Sequence, residues 1–139
     1  MNVLVDTTVW SLALRRKPTE LTPAERSNVE EHGELVREGR ARMIGLIRQE
    51  LLSGIKTREQ FDKLRAALRA FPDEPLETSD HEAAAESSNR CREKGIVVSV
   101  VDILICSVAI TRGWSVFTTD PDFQNYARVL PIELHTGRR

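Results

Sequence analysis

The sequence predicts one α/β domain, in which helices flank a small parallel sheet of four or five strands. Short apolar segments with β-branched residues alternate with amphipathic, helix-like segments, and no hairpin signal joins two neighbouring strands. The 139 residues are the usual length of one domain and are enough to bury a core. We therefore expect a single domain over residues 1–139, with its core in 1–135 and a frayed tail over 136–139.

The first third of the chain predicts two strands and three helices. Asp6-Thr7-Thr8 is a cluster of N-cap residues, and Thr22-Pro23-Ala24-Glu25 combines a capping box with a proline in the first turn. Gly39 and Gly54 follow two of these helices and suit a helix C-terminus. The predicted strands are 2–5 and 41–44, and the predicted helices are 9–14, 22–37 and 46–53.

The rest of the chain predicts four helices and up to three strands. Thr57 and Gln60 have the spacing of a capping box, and apolar residues recur at helical spacing from Phe61 to Phe71. Gly95 and Gly113 end two later helices. The predicted helices are 57–71, 79–94, 102–112 after an apolar lead-in over 96–98, and 120–127. The predicted strands are 76–78, 115–118 and 130–134.

Composition narrows the class of protein. The formal net charge is −1, so binding of a nucleic acid requires basic residues that cluster locally. Cys91 and Cys106 have neither CxxC nor Cys/His ligand spacing, which argues against a structural zinc and for reduced thiols. Because no secretory signal and no apolar run of about 18 residues is visible, we expect a cytoplasmic protein without a membrane partner.

One acidic residue lies in an otherwise apolar segment. Asp102 has only aliphatic residues for two positions on its N-terminal side and three on its C-terminal side. A carboxylate is expensive to bury unless something compensates its charge, and a divalent cation compensates it well. Asp102 is therefore the first candidate for a metal ligand.

Three other acids occupy related places in the predicted fold. Asp6 follows the first strand, Asp120 follows the strand 115–118, and Glu50 lies on the helix after the second strand. Ligands of open α/β sheets bind beyond the carboxyl ends of the strands, so we expect these acids to meet Asp102 there. Oxygen ligands suit Mg²⁺ or Mn²⁺, and phosphodiester hydrolysis is the natural reaction of such a site.

Each acid also has an ordinary structural explanation. Asp6 and Asp102 suit helix N-caps, Glu50 suits a solvated helix edge, and Asp120 with Asp122 suits a turn that starts a helix. The apolar neighbours of Asp102 favour a functional role for that residue over a capping role. The prediction therefore depends on the joint arrangement of the acids rather than on any single one.

Four segments resemble a known family: V-L-V-D-T-T-V-W, Q-E-L-L-S-G, V-V-D-I-L-I-C-S-V-A and F-T-T-D-P-D-F. Their order and spacing are similar to those of the PIN-domain ribonucleases, and most similar to the VapC toxins of toxin–antitoxin pairs. The resemblance spans nearly the whole chain. It implies a PIN-like fold and an endoribonuclease, dependent on Mg²⁺ or Mn²⁺, that hydrolyses RNA phosphodiesters with metal-activated water.

The resemblance also implies roles for individual residues. It implies an acidic quartet that binds one or two metal ions: Asp6, Glu50, Asp102 and Asp120. Asp122 matches a position that is either a metal ligand or a support for one. Thr8 matches a small hydroxyl residue that hydrogen-bonds near the first aspartate.

A toxin of this kind implies two partners, its RNA substrate and an antitoxin that covers the acidic cleft. Arg15-Arg16-Lys17 is the first choice for RNA contact, although cations also suit the end of the helix that they follow. The apolar residues near Trp10 and over 57–71 suit an antitoxin groove, a homodimer interface or the core. We expect a homodimer.

Two alternative functions stay open at this point. One is a PIN nuclease for RNA processing that has no antitoxin. The other is a catalytically silent α/β module that only binds RNA or a partner protein, against which the presence of all four acids weighs.

Overall fold

The computed structural model describes residues 1–138 and has three short parallel strands at its centre. The strands are β1 (Val3–Val5), β2 (Ala41–Arg42) and β3 (Ser115–Phe117), in the order β2-β1-β3. Leu4 of β1 pairs with Arg42 on one side and with Val116 on the other. All three strands therefore end at the same edge of the sheet, which is the edge predicted to carry the acids.

Seven α-helices and one 3-10 turn, Pro18–Glu20, connect and cover the strands within the described part of the chain. The helices are α1 (Thr7–Arg15), α2 (Pro23–Arg37), α3 (Gly45–Leu52), α4 (Arg58–Leu68), α5 (Thr78–Glu93), α6 (Val100–Arg112) and α7 (Asp122–Tyr126). Each predicted helix is present, with ends that differ by a few residues. The capping box at Thr22 and the side-chain cap at Thr57 both form as predicted.

The prediction of four or five strands is wrong, because only three form within residues 1–138. The segment 130–134 contributes one isolated bridge, between Leu134 and Val116, and Pro131 has no N–H to donate to a ladder. The segment 76–78 leads directly into α5, where the Glu77 N–H is capped by the Asp80 carboxylate. Neither segment therefore extends the sheet by a full strand.

The core lies on both sides of β1 and along α6. All three residues of β1 are fully buried, and α6 is buried without interruption from Ile103 to Ala109. Each fully buried Val or Leu side chain contributes about 1.5–3 kcal/mol through the hydrophobic effect. Trp10 is also fully buried, with its ring between His32 and Phe71, so this residue belongs to the core rather than to an open groove.

The C-terminal tail differs from the frayed tail expected over 136–139. The Arg138 guanidinium donates hydrogen bonds to Glu31 and Glu38 of α2 and its C-cap, at 2.8–3.5 Å. His135 contacts the same Glu31 carboxylate at 2.6 Å. The chain is therefore held against α2 as far as residue 138, and residue 139 lies outside the described residues.

Within residues 1–138, every helix is too short or too polar to cross a lipid bilayer.

Candidate active site

Asp6 follows β1 directly and is buried, with 3% of its surface exposed. It stands at the N-cap position of α1, yet its side chain makes no capping hydrogen bond. Instead its Oδ2 accepts hydrogen bonds from the hydroxyls of Thr8, at 2.8 Å, and Thr118, at 2.7 Å. The main side-chain partners of Asp6 are therefore two hydroxyl groups rather than a helix cap, and the predicted contact with Thr8 is present.

The same two threonines hold the turn after β3, which carries Asp120. The Thr119 N–H donates to the Thr8 hydroxyl at 3.1 Å, and the Asp120 N–H donates to the Thr118 hydroxyl at 3.0 Å. The Asp120 Oδ1 accepts the Asp122 N–H at 2.9 Å, at the start of α7. Asp120 thus has the predicted structural role in a helix start and is also tied, through the threonines, to Asp6.

Asp102 lies in the first turn of α6 but does not cap it. The Ser99 hydroxyl is the cap, and it accepts the Asp102 N–H at 3.1 Å. The Asp102 side chain instead accepts a hydrogen bond on Oδ2 from the Tyr126 hydroxyl, at 3.0 Å. The Asp102 carboxylate therefore joins α6 to α7 instead of capping its own helix. The helix α6 begins at Val100, two residues earlier than predicted.

Tyr126 is a functional candidate that the sequence reasoning missed. It is the single tyrosine of the chain and is 3% exposed, on α7. A buried tyrosine hydroxyl needs a hydrogen-bond partner. The partner lies 24 residues away in the sequence, so local periodicity has no signal for it.

The electrostatics of the site show that the acids act on one another. Burial, together with the charges of Asp6, Asp120 and Glu50, raises the pKa of Asp102 to about 6, and the Tyr126 hydrogen bond partly offsets this rise. Burial also raises the pKa of Asp6, while the hydroxyls of Thr118 and Thr8 partly offset this. The four predicted acids therefore share one electrostatic environment.

Glu50 and Asp122 are the more exposed members of the group. Glu50 lies near the C-terminal end of α3 and acts on Asp102 through its charge. Asp122 is the first residue of α7, and its charge, like that of Asp120, raises the pKa of Tyr126, although burial raises that pKa most. Both acids thus lie on the side of the molecule where Asp102 and Tyr126 meet.

The donor set fits a hard divalent cation by its chemistry. No Lys or Arg side chain among residues 1–138 forms an ion pair with Asp6, Asp102 or Asp120. The Asp102 Oδ1 accepts no hydrogen bond from any described residue. The Asp6 carboxylate also interacts with the backbone N–H groups of Thr7 and Thr8, which partly offset the effect of burial on its pKa. Within the described chain, no three His, Cys, Asp or Glu side chains are already grouped so that they could hold a metal ion. The carboxylates thus offer oxygen ligands and unbalanced charge without a preassembled cage.

The basic run predicted for RNA contact lies at the far end of α1. Arg15 is nine residues after Asp6, which is about 13 Å along a helix axis. Arg15 lines a groove of about 510 Å³ together with Ile55 and Lys63, and Arg16 lies 3.8 Å from Glu25. A role for Arg15, Arg16 and Lys17 in binding RNA stays a prediction.

Comparisons with known proteins agree on one family. The chain matches the PIN domain over residues 3–129. It is 32% identical over 87 residues to Ribonuclease VapC6 of Mycobacterium tuberculosis, and this alignment covers 60% of the chain and 68% of the relative.

Several solved structures have the same fold at low sequence identity. FitAcB from Neisseria gonorrhoeae has a TM-score of 0.73 and 20% identity, with 96% of both chains covered. VapBC2 from Rickettsia felis, bound to a fragment of promoter DNA, has a TM-score of 0.71 and 18% identity, with 97% of this chain and 98% of that chain covered. VapBC-5 from Mycobacterium tuberculosis, a member of the VapBC family of toxin–antitoxin systems, has a TM-score of 0.65 and 16% identity, with 96% and 98% covered.

Proposed function

The chain is a VapC-type member of the PIN domain family, and we propose that it is an endoribonuclease, dependent on Mg²⁺ or Mn²⁺, that serves as the toxin of a toxin–antitoxin pair. The observation that carries the proposal is that Thr8 and Thr118 join Asp6 to the turn of Asp120 at one edge of the sheet, while the charges of Asp6, Asp120 and Glu50 act on Asp102. The four carboxylates are not neutralised by any cation of residues 1–138, and repulsion among them is relieved when a divalent ion binds.

The residues that would hold the ion are Asp6, Asp102 and Asp120, with Glu50 and Asp122 as the exposed members. One or two ions bound there would polarise phosphate oxygens and activate water. The Asp102 Oδ1 accepts no hydrogen bond from the described residues, so it is available to a cation. Thr8 and Thr118 hold the Asp6 carboxylate in place through its Oδ2. Glu50 is on the helix surface and can adjust its rotamer toward the ion without disturbing the core.

The protein's own charge pattern does not favour RNA over the whole surface, since the net charge is −1. Contact with the phosphate backbone therefore depends on local cations, for which Arg15, Arg16 and Lys17 are the proposed group. The relatives support RNA as substrate, because one of them is a ribonuclease by name.

The partner proposed for this chain is an antitoxin that covers the acidic cleft. Support comes from the similar structures, which include VapBC complexes and a member of a toxin–antitoxin family. An arginine of the antitoxin is suited to the unpaired carboxylates, because guanidinium pairs with carboxylate through two parallel hydrogen bonds. We also propose a homodimer and a cytoplasmic location.

Cleavage of RNA by purified protein, with and without a chelator, tests the enzymatic proposal. We expect cleavage that requires Mg²⁺ or Mn²⁺ and falls about 100-fold or more in Asp102→Asn, because the variant loses a charged ligand. Asp62→Asn, which changes an exposed aspartate of α4, is the matched control and should cleave normally. Full activity in Asp102→Asn contradicts the proposal, and binding of RNA without cleavage by the wild type favours a silent binding module.

A separate pull-down tests the toxin role. An endogenous small protein that co-purifies with the chain and inhibits cleavage supports an antitoxin. An enzyme that is active in its native lysate and has no such inhibitor supports RNA processing instead.

A further inference from the structure

Hydroxyl groups hold one oxygen of each of two acids of the site. For Asp6 this oxygen is Oδ2, which accepts hydrogen bonds from Thr8 and Thr118. For Asp102 it is also Oδ2, which accepts a hydrogen bond from Tyr126 at 3.0 Å. The Asp102 Oδ1 accepts no hydrogen bond from residues 1–138 and is therefore available to a ligand.

Tyr126 is held rigidly enough to fix the carboxylate that it contacts. Its ring packs edge-to-face on Phe123, with centroids 5.1 Å apart, and both residues are buried. The hydroxyl is the one side-chain donor to Asp102 among the described residues. A buried ring with two rotatable bonds leaves little freedom to its hydroxyl, so the position of the hydroxyl determines the rotation of the Asp102 carboxylate.

The helix that carries Tyr126 also begins at another acid of the site. The Phe123 N–H donates to the Asp120 carbonyl at 3.3 Å, and the Asp122 N–H donates to the Asp120 carboxylate at 2.9 Å. One short helix, α7, therefore contacts Asp120 through its first residues and Asp102 through its last. The helix α7 therefore links two acids that lie on different elements of the fold.

We propose that Tyr126 is a positioning residue that orients the Asp102 carboxylate for binding of the metal ion. This inference rests on the proposed function, because it concerns the same site. Groups that hydrogen-bond to metal-binding carboxylates orient them, and loss of such a group typically weakens metal binding about 10- to 100-fold. Tyr126 touches neither substrate nor reacting atoms in this role, and it acts only through Asp102.

The test is calorimetric titration of full-length protein with MnCl₂ alone, comparing wild type with Tyr126→Phe. The variant keeps the buried ring and removes only the hydroxyl. We expect its Kd for Mn²⁺ to rise about 10-fold. Thr111→Val is the matched control, because it removes one hydroxyl from the other end of α6, nine residues and about 13 Å from Asp102. Its Kd should equal that of the wild type.

A second readout separates positioning from a purely structural role. The thermal midpoint Tm is measured with and without a fixed excess of Mn²⁺, since a ligand at free concentration L that binds the folded state stabilises it by RT ln(1 + L/Kd) and raises Tm more when it binds more tightly. A positioning role predicts that the Mn²⁺-induced rise in Tm becomes smaller in Tyr126→Phe. An equal loss of Tm in both conditions, with an unchanged Kd, overturns the proposal.

The double variant Asp102→Asn with Tyr126→Phe shows whether the effect passes through Asp102. If it does, Tyr126→Phe changes the Kd no further in the Asp102→Asn background, because residues that act as a unit are not additive. A further loss equal to that in the wild-type background overturns the proposal. If the wild type binds Mn²⁺ and cleaves RNA, and Tyr126→Phe has the same Kd and the same cleavage activity, only the role of Tyr126 is overturned. Wild type that neither binds Mn²⁺ nor cleaves RNA overturns the proposed function as well.

Discussion

The two ends of α6 differ in whether their charged side chains have partners of opposite charge. At the C-terminal end, Arg112 donates hydrogen bonds to both oxygens of Asp80, at 2.6 and 3.1 Å, and to Glu74 at 2.7 Å. At the N-terminal end, Asp102 has a single neutral donor, Tyr126, and three acids nearby that raise its pKa. The charge at the C-terminal end is neutralised by side chains of the same chain, and the charge of Asp102 at the N-terminal end is not.

The two carboxylates show the consequence of this difference. The hydrogen bonds from Arg112 lower the pKa of Asp80 to about 2, with help from the Glu77 N–H. Burial and the neighbouring acids raise the pKa of Asp102 to about 6. The helix dipole favours an anion at the first end of α6 and a cation at the second, so it does not explain why only one charge is paired. The difference comes from the partners: the Asp80 carboxylate is balanced by Arg112, whereas the Asp102 carboxylate has no cationic partner among the described residues, as the proposed metal site requires.

Removal of Arg112 should have the largest effect on stability. Arg112→Ala leaves Asp80 buried without its partner and frees the loop at Pro75, whose carbonyl accepts from the same guanidinium at 3.0 Å. We expect the free energy of unfolding to fall by about 3 kcal/mol. This is the lower end of the range for a broken buried ion pair, because Arg112 is 20% exposed. Urea unfolding measures this loss. Arg65→Ala, which breaks an exposed pair with Asp62, should lose less than about 1 kcal/mol.

Equal losses in Arg112→Ala and Arg65→Ala would remove the contrast between the two ends of α6, because the Arg112 pair would then be an ordinary surface pair.

The stabilisation that the Arg112–Asp80 pair provides should depend on pH. We expect this effect on the free energy of unfolding to be smaller than that of Arg112→Ala and to fall within a defined pH range. Because the folded pKa of Asp80 lies below its usual value, the pair stabilises the fold above about pH 4 and loses this effect as the pH falls to about 2. We expect wild type to be about 1–2 kcal/mol more stable than Asp80→Asn at pH 7, after allowance for solvent screening, and the difference to shrink toward pH 2. Unfolding curves of both proteins across this range provide the measurement, and a difference that does not vary with pH contradicts the assignment.

Neutralisation of Asp102 should change the free energy of unfolding least, and it should stabilise the protein where the other two substitutions destabilise it. In Asp102→Asn, without metal, the fold no longer holds a charge that burial and three neighbouring acids disfavour. The variant should therefore be more stable than wild type by about 1 kcal/mol at pH 7 in the presence of a chelator. Saturating Mn²⁺ should reverse the order, because the wild type binds Mn²⁺ more tightly than the variant and gains more binding free energy. A variant that is less stable than wild type under chelation would show that Asp102 is structural.

The local elements of this fold are readable from the sequence, and the number of strands is not. Helix starts such as Thr22 and Thr57 depend on residues within one turn, and both caps form as predicted. Strands require a partner, and the β-rich segment 130–134 finds only one paired residue at the edge of β3. Its strand propensity was therefore not enough to extend the sheet.

The sequence by itself determined which residues are acidic, which elements carry them and that Asp6 and Asp120 follow strands that end at one edge. These are properties of short segments, set by hydrophobic periodicity and capping. Only the tertiary structure decided what compensates each charge. The Asp102 contact with Tyr126 spans 24 residues and the Arg112 contact with Asp80 spans 32, so both depend on how α5, α6 and α7 pack. Whether a buried charge is neutralised depends on that packing, because a side chain several turns away in sequence is either within hydrogen-bond reach or too far to matter.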